Sequence, residues 1–215
     1  MVSRRELEGL RRAANTARPA DLPTVEMPDN IVEFATSPEY LGLDLYPMQA
    51  MVLKIITLAA SLFTDFDHRV LERWAAGFEL SADADQARYR GVYGIVPDVL
   101  DRIEWCRSQG RPWFREVVLV MGRRGSKNFL ASIVLAWRLW HLLALGDPQS
   151  HYRIPKSKTL AVHTFGTDQV TLRRNAFGDI VGLLRTAPCF APFLGAATTT
   201  SITLLTPAQL AAGAQ

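Results

Sequence analysis

The chain has 215 residues, of which 48% are hydrophobic and 21% charged, a balance that allows one sizeable buried core and excludes wholesale disorder. Its net charge of +3, from 24 basic and 21 acidic residues, is too small an excess to argue by itself for a nucleic-acid partner, which would need local clustering. The two cysteines, Cys106 and Cys189, are far apart without metal-ligand spacing, so reduced thiols in a cytoplasmic protein are expected.

Residues 1–14 are charged and carry a basic helical pattern over 4–14; no apolar stretch follows the arginines, so no secretory signal is expected. Pro19, Pro23 and Pro28 mark an extended stretch suited to an arm laid over a domain, because each proline fixes φ and withholds a donor. The domain is taken to start near Tyr40, giving an arm over 1–39 and one domain over 40–215. Helical periodicity runs over 47–63, with Pro47 in the first turn, where a missing N–H costs nothing. Charges and glycines interrupt the pattern from 65 to 94, and residues 76–91 read as an exposed excursion. A further helix is expected over 98–108, closed by Gly110 in a C-cap position.

Residues 116–121, EVVLVM, predict a strand rich in β-branched side chains. GRRGSKN follows, and then the longest apolar run, FLASIVLAWRLWHLLAL over 129–145. Arg138 and His141 interrupt that run, which is shorter than the roughly 20 residues a bilayer crossing needs; a helix buried inside a soluble domain is expected. A second strand over 159–164 leads into a helix over 167–185 whose Phe177, Ile180, Val181 and Leu184 share one face. Two strand-then-helix units in succession predict a parallel sheet with right-handed crossovers. Residues 198–205 alternate loosely as a candidate third strand, and 207–215 offer little to bury.

A phosphate-binding loop needs backbone amides turned into a tight bend, a lysine for the β and γ phosphates, and a hard oxygen for magnesium. It sits between a strand and the N-terminus of a helix, where free amides and the helix dipole favour an anion. Gly122, Arg123, Arg124, Gly125, Ser126, Lys127 and Asn128 occupy that junction, with Lys127 the phosphate ligand. The strict pattern has glycine just before the lysine and serine or threonine just after it; here those places hold Ser126 and Asn128. Serine can still donate to a phosphate, and the Asn128 carboxamide oxygen can coordinate a hard cation. The alternative is a basic surface turn, which would not explain two arginines and a lysine wedged between an apolar strand and an apolar helix.

Three stretches together, PMQ at 47–49, VVLVMGRRGSKN at 117–128 and LAVHTFGTDQVTLRRNAFGDIVGLLR at 160–185, resemble the N-terminal part of terminase large subunits from tailed phages and prophages. The resemblance covers roughly residues 40–205. In that family the loop, its Walker A motif, commonly reads glycine or serine, arginine, arginine or glutamine, a variable residue, glycine, lysine, and serine or threonine. The resemblance implies a three-layer α/β P-loop NTPase of the RecA-like, ASCE class with a parallel sheet, incomplete here. It implies ATP and Mg2+ as cofactors, bound by Gln49 and residues 122–128. Lys127 would hold the β and γ phosphates, Asn128 would stand where the magnesium-binding hydroxyl belongs, and Arg123 would take the catalytic role of stabilising charge on the γ phosphate. Gln49 matches a glutamine that reads adenine, pairing with its donor and acceptor edge; without the family it would be an ordinary exposed glutamine.

The complete family members power DNA packaging into procapsids. Their implied partners are double-stranded DNA, the portal protein, the terminase small subunit and further copies in a ring, in the host cytoplasm, with no membrane and no place in the virion. The sequence contains no apolar strand ending in an acidic pair and no nuclease carboxylate cluster, so weak or no steady-state hydrolysis is expected of this chain alone. The alternatives are another DNA-dependent P-loop ATPase, helicase-like in kind, and a truncated, non-enzymatic product that at most binds nucleotide or a partner.

Other candidates read as structural. Asp83 and Asp85 precede the loop in a polar segment and are expected to be solvated. His68, His141, His151 and His163 have no paired metal spacing, and His141 is expected to be a partly buried polar group. Trp137 and Trp140 suit a core or interface better than a base-stacking platform. Lys156, Lys158, Arg173 and Arg174 are expected on a solvated charged face.

Overall fold

The structure, a computed structural model, describes residues 23–80, 99–119, 126–165 and 168–214. The expected helix over 4–14, Pro19, Asp83, Asp85 and residues 120–125 lie outside this set.

Asn30 starts the first helix, α1 (Ile31–Thr36), by accepting the Val32 and Glu33 N–H groups at 3.0 Å each. Glu33 reaches back to the Asp29 N–H at 2.7 Å and closes a second cap. Ile31, Phe34 and Ala35 are wholly buried, so these residues, numbered within the expected arm, are part of the main core. The proline-marked stretch before them is fastened to the same core: the Glu26 carbonyl accepts the Trp140 indole N–H at 2.9 Å and the Tyr40 hydroxyl at 3.3 Å.

Helix α2 (Pro47–Ile56) begins on its proline as expected but stops earlier than 63. Ile55, Ile56 and Thr57 form a β-branched run of low helix propensity, and the Thr57 hydroxyl bonds back to the Leu53 carbonyl at 3.0 Å. Leu58 then takes a positive φ of 56° before a 3-10 turn at Ala60–Leu62.

Helix α3 (Asp65–Leu80) corrects the reading of irregular structure after residue 65. Thr64 and Asp67 cap one another: Asp67 Oδ2 accepts the Thr64 N–H at 2.7 Å and its hydroxyl at 3.0 Å. In return Thr64 Oγ1 accepts the Asp67 N–H at 3.4 Å. This is a capping box with aspartate in the acidic place. The same Oδ2 accepts Lys54 Nζ at 2.8 Å, so a buried ion pair joins α2 to α3. Helix α4 (Val99–Ser108) matches its expected span. Gly110, with φ 67°, supplies the left-handed residue after it. A small second core gathers Leu58, Ile103 and Cys106 under Phe63 and Phe114.

The long apolar run forms α5 (Lys127–Ala144), whose Leu130, Ile133, Ala136, Trp137, Trp140 and Leu143 face inward at helical spacing. Gly146, φ 69°, ends it with an N–H bonded to the Leu143 carbonyl at 2.9 Å, and α6 (Pro148–His151) follows, capped by Asp147. The helix expected over 167–185 is divided into α7 (Gln169–Leu172), a π turn at Arg173–Phe177 and α8 (Gly178–Thr186). A Cβ at Gly178 would lie 3.1 Å from the Arg173 carbonyl, which explains a glycine where the π turn passes into α8. Helices α1, α2 and α8 pack on α5, and a 3-10 segment, Pro188–Phe193, adds the buried Phe190 and Phe193.

Strands β1 (Leu194–Ala197) and β2 (Ile202–Leu204) pair antiparallel, Leu194 opposite Leu204, through a turn in which Thr198 Oγ1 accepts the Thr200 and Ser201 N–H groups. The candidate third strand is thus one arm of a hairpin. The chain continues into α9 (Pro207–Ala211), opened by a Thr206–Gln209 capping box; its Leu210 packs on the core, so this segment buries more than its composition suggested.

The hairpin is the only sheet among the described residues. Residues 116–119 and 159–164, read as strands of a parallel sheet, carry no ladder there. Their apolar side chains face solvent: Val118 is 76% exposed, Val162 54% and the nearby Phe165 90%. Apolar segments of strand composition without partners are association-prone. The isolated chain is therefore expected to bind a hydrophobic dye and to self-associate with rising concentration. Val118→Lys with Val162→Lys should reduce both, as read by dye fluorescence and light scattering.

Candidate functional site

Ser126 precedes α5 with φ 57° and ψ 22°, a left-handed conformation. For an L-residue this costs about 1–2 kcal/mol, whereas glycine adopts it freely. It is the place where the strict phosphate-loop pattern has glycine, and the Ser126 backbone takes a conformation that glycine adopts freely.

The Ser126 side chain does not cap α5. The N-terminus of this 18-residue helix favours an anion through the direction of its amides and its dipole. Lys127 and Asn128, its first two residues, are both exposed. Asn128 also accepts the Ser132 hydroxyl on its main-chain carbonyl at 2.8 Å.

Gln49, 77 positions earlier, reaches the same point: its Nε2 donates to Ser126 Oγ at 3.1 Å. Gln49 sits in the first turn of α2, and its Oε1 accepts the Tyr46 N–H at 2.9 Å. The packing of α2 on α5 thus brings together Gln49, Ser126, Lys127 and Asn128. The remaining loop residues, Gly122, Arg123, Arg124 and Gly125, lie outside the described set.

This arrangement fits a phosphate in the chemistry of its donors: helix N-terminal amides, a lysine and a hydroxyl. For a magnesium ion the described part of the site offers only neutral oxygens, the Asn128 carboxamide and the Ser126 hydroxyl, and among the described residues no group of three or more His, Cys, Asp or Glu could hold a metal. A cleft of about 430 Å³ opens beside the first turns of α5, lined by Phe129, Ser132, Asp179, Leu183 and Thr186. Its one acidic side chain, Asp179, disfavours an anion, so it is not a second phosphate seat.

The remaining polar groups settle into structural roles. His141 bonds through Nδ1 to the Trp137 carbonyl at 2.8 Å. Burial, helped by the neighbouring Arg138, pushes its pKa below the usual histidine range, and the carbonyl bond only partly opposes this; a neutral imidazole results near pH 7. Arg138 stacks its guanidinium 3.3 Å from the Trp113 ring centre. Trp137 and Trp140 are buried in the core. Both cysteines are free, and burial pushes the Cys189 thiol up to about 12, which keeps it protonated and unreactive. Lys156, Lys158 and Arg173 are exposed, and Lys156 pairs with Asp147.

Among the described residues no helix is long and apolar enough to cross a membrane. No family model matches the chain, and comparisons with curated proteins and with solved structures find no significant match.

Proposed function

We propose that this chain binds ATP with Mg2+ at the start of α5, as the front part of a terminase-type DNA-packaging ATPase. The observation that carries this reading is the left-handed Ser126 immediately before Lys127 at the N-terminus of α5. The contact from Gln49 adds to it, because two separately motivated sequence positions meet there. In this reading Lys127 binds the β and γ phosphates, the amides that open α5 bind phosphate oxygens, and Arg123 and Arg124 add positive charge from the loop. Asn128 would offer its carboxamide oxygen to the magnesium ion, which when bound neutralises charge between the phosphates.

The proposed setting is a RecA-like α/β domain in which residues 116–121 and 159–164 are parallel strands, a role their strand-like composition suits. The proposed partners are double-stranded DNA, a portal protein, a small subunit and further copies of the complete protein in a ring. Because the sequence holds no apolar strand ending in an acidic pair, steady-state hydrolysis by this chain is expected to be weak or nil.

Thermal unfolding with and without Mg-ATP tests the reading. A ligand that binds only the folded state stabilises it by about 2.7 kcal/mol at a hundredfold excess over Kd, so the midpoint should rise by several degrees in the wild type and not in Lys127→Ala. A wild-type midpoint indifferent to millimolar Mg-ATP would sink the proposal, and an equal rise in Lys127→Ala would move the site elsewhere.

A further inference from the structure

Resting on that reading, we infer that Gln49 is a positioning residue of the phosphate loop, a strut that holds Ser126 in its left-handed conformation, and that it does not select the base. The orientation of its carboxamide follows from its two partners. The Tyr46 N–H can only donate, so the oxygen of Gln49 must face it, at 2.9 Å. The amide nitrogen is thereby turned toward Ser126 Oγ, at 3.1 Å. Both Gln49 and Ser126 are half-buried, and Gln49 is fixed at the first turn of a helix whose Met51 and Leu53 are wholly buried. A rigid element therefore carries the donor, and the residue that receives it is the one with a strained backbone.

A loop with glycine in this place would need no such support. The strut is the counterpart of the serine: where the side chain makes the required φ unfavourable, a hydrogen bond from a neighbouring helix favours it again. Lys127 follows directly, so the conformation of Ser126 sets where the lysine and the first amides of α5 begin.

The first measurement is a double-mutant cycle on the ligand-free chain, by denaturant unfolding of the wild type, Gln49→Ala, Ser126→Gly and the pair. The lost Tyr46 bond is common to both arms and cancels. Gln49→Ala should shift the midpoint less in the Ser126→Gly background than in the wild type; equal shifts would overturn the proposal. The second measurement is binding of Mg-ATP, Mg-GTP and inorganic tripolyphosphate. Gln49→Ala, and Ser126→Ala, which keeps the strain and loses the hydroxyl, should weaken all three by about tenfold, the scale of one hydrogen bond. Gln49→Ala should have little effect on any of them in the Ser126→Gly background. A loss confined to ATP would make Gln49 a reader of adenine and overturn the strut. Should the wild type bind none of the three while the cycle shows coupling, the strut stands and the nucleotide reading falls.

Discussion

Asp67→Ala is expected to destabilise the fold by about 3–5 kcal/mol, the range for removing one partner of a buried ion pair. The Asp67 carboxylate is 1% exposed and accepts three donors, Lys54 Nζ and the N–H and hydroxyl of Thr64. Its loss strands an ammonium that is itself only 8% exposed and removes the cap of α3. Lys54→Met should cost less, because the carboxylate keeps its two Thr64 donors. The pair also makes stability depend on acid. Burial alone would raise the Asp67 pKa, but the bonds from Lys54 and Thr64 outweigh it and hold the group below its ordinary value. A carboxyl whose folded pKa is depressed contributes fully above its unfolded value, about 3.9. That contribution drains away as pH falls through this value toward the lower folded one. Wild type should therefore lose stability on acidification below about pH 4 more steeply than Asp67→Ala. Parallel acid limbs in denaturant titrations would show that folding leaves the Asp67 pKa unshifted.

Phe34→Ala should destabilise by a comparable amount, about 3–5 kcal/mol, the usual range for removing a large aromatic side chain from a packed core. The ring is wholly buried and lies 5.1 Å from Trp137, 5.5 Å from Tyr40, 6.3 Å from Trp140 and, edge-on, 6.5 Å from Phe190. Few domains hold more than 15 kcal/mol in reserve, so this variant should melt far below the wild type. Phe34→Leu, which refills most of the volume, should recover a large part of the loss. A change under about 1 kcal/mol in Phe34→Ala would mean that α1 is not docked on α5 in solution.

The sequence made the helices readable where one pattern dominated. Residues 129–145 show apolar spacing so regular that α5 could be assigned without context, and Gly110 marked the end of α4 by its need for positive φ. Less legible were short polar signals inside noisy stretches. Thr64 with Asp67, and Thr206 with Gln209, are capping boxes visible as letters, yet the glycines and charges around the first and the weak composition around the second mask them. The core role of α1 was hidden because Phe34 gains its neighbours from residues a hundred positions away; proline content alone suggested an arm. The expected strands failed to pair among the described residues for a related reason, since strand propensity describes a side chain's fit to a neighbouring strand and cannot supply that neighbour. At the candidate site the motif located Ser126, Lys127 and Asn128, and the resemblance singled out Gln49, but the bond between Gln49 and Ser126 is a property of how α2 rests on α5. No local pattern contains it.

The single carbonyl of Glu26 serves two aromatic donors, the indole of Trp140 and the phenol of Tyr40. Peeling the leading segment away would leave an indole N–H without an acceptor in greasy surroundings, a penalty of about 1–3 kcal/mol for that donor alone. Detachment at this seam is thus tied to melting of the aromatic cluster beneath it, and tryptophan emission should register the two as one event.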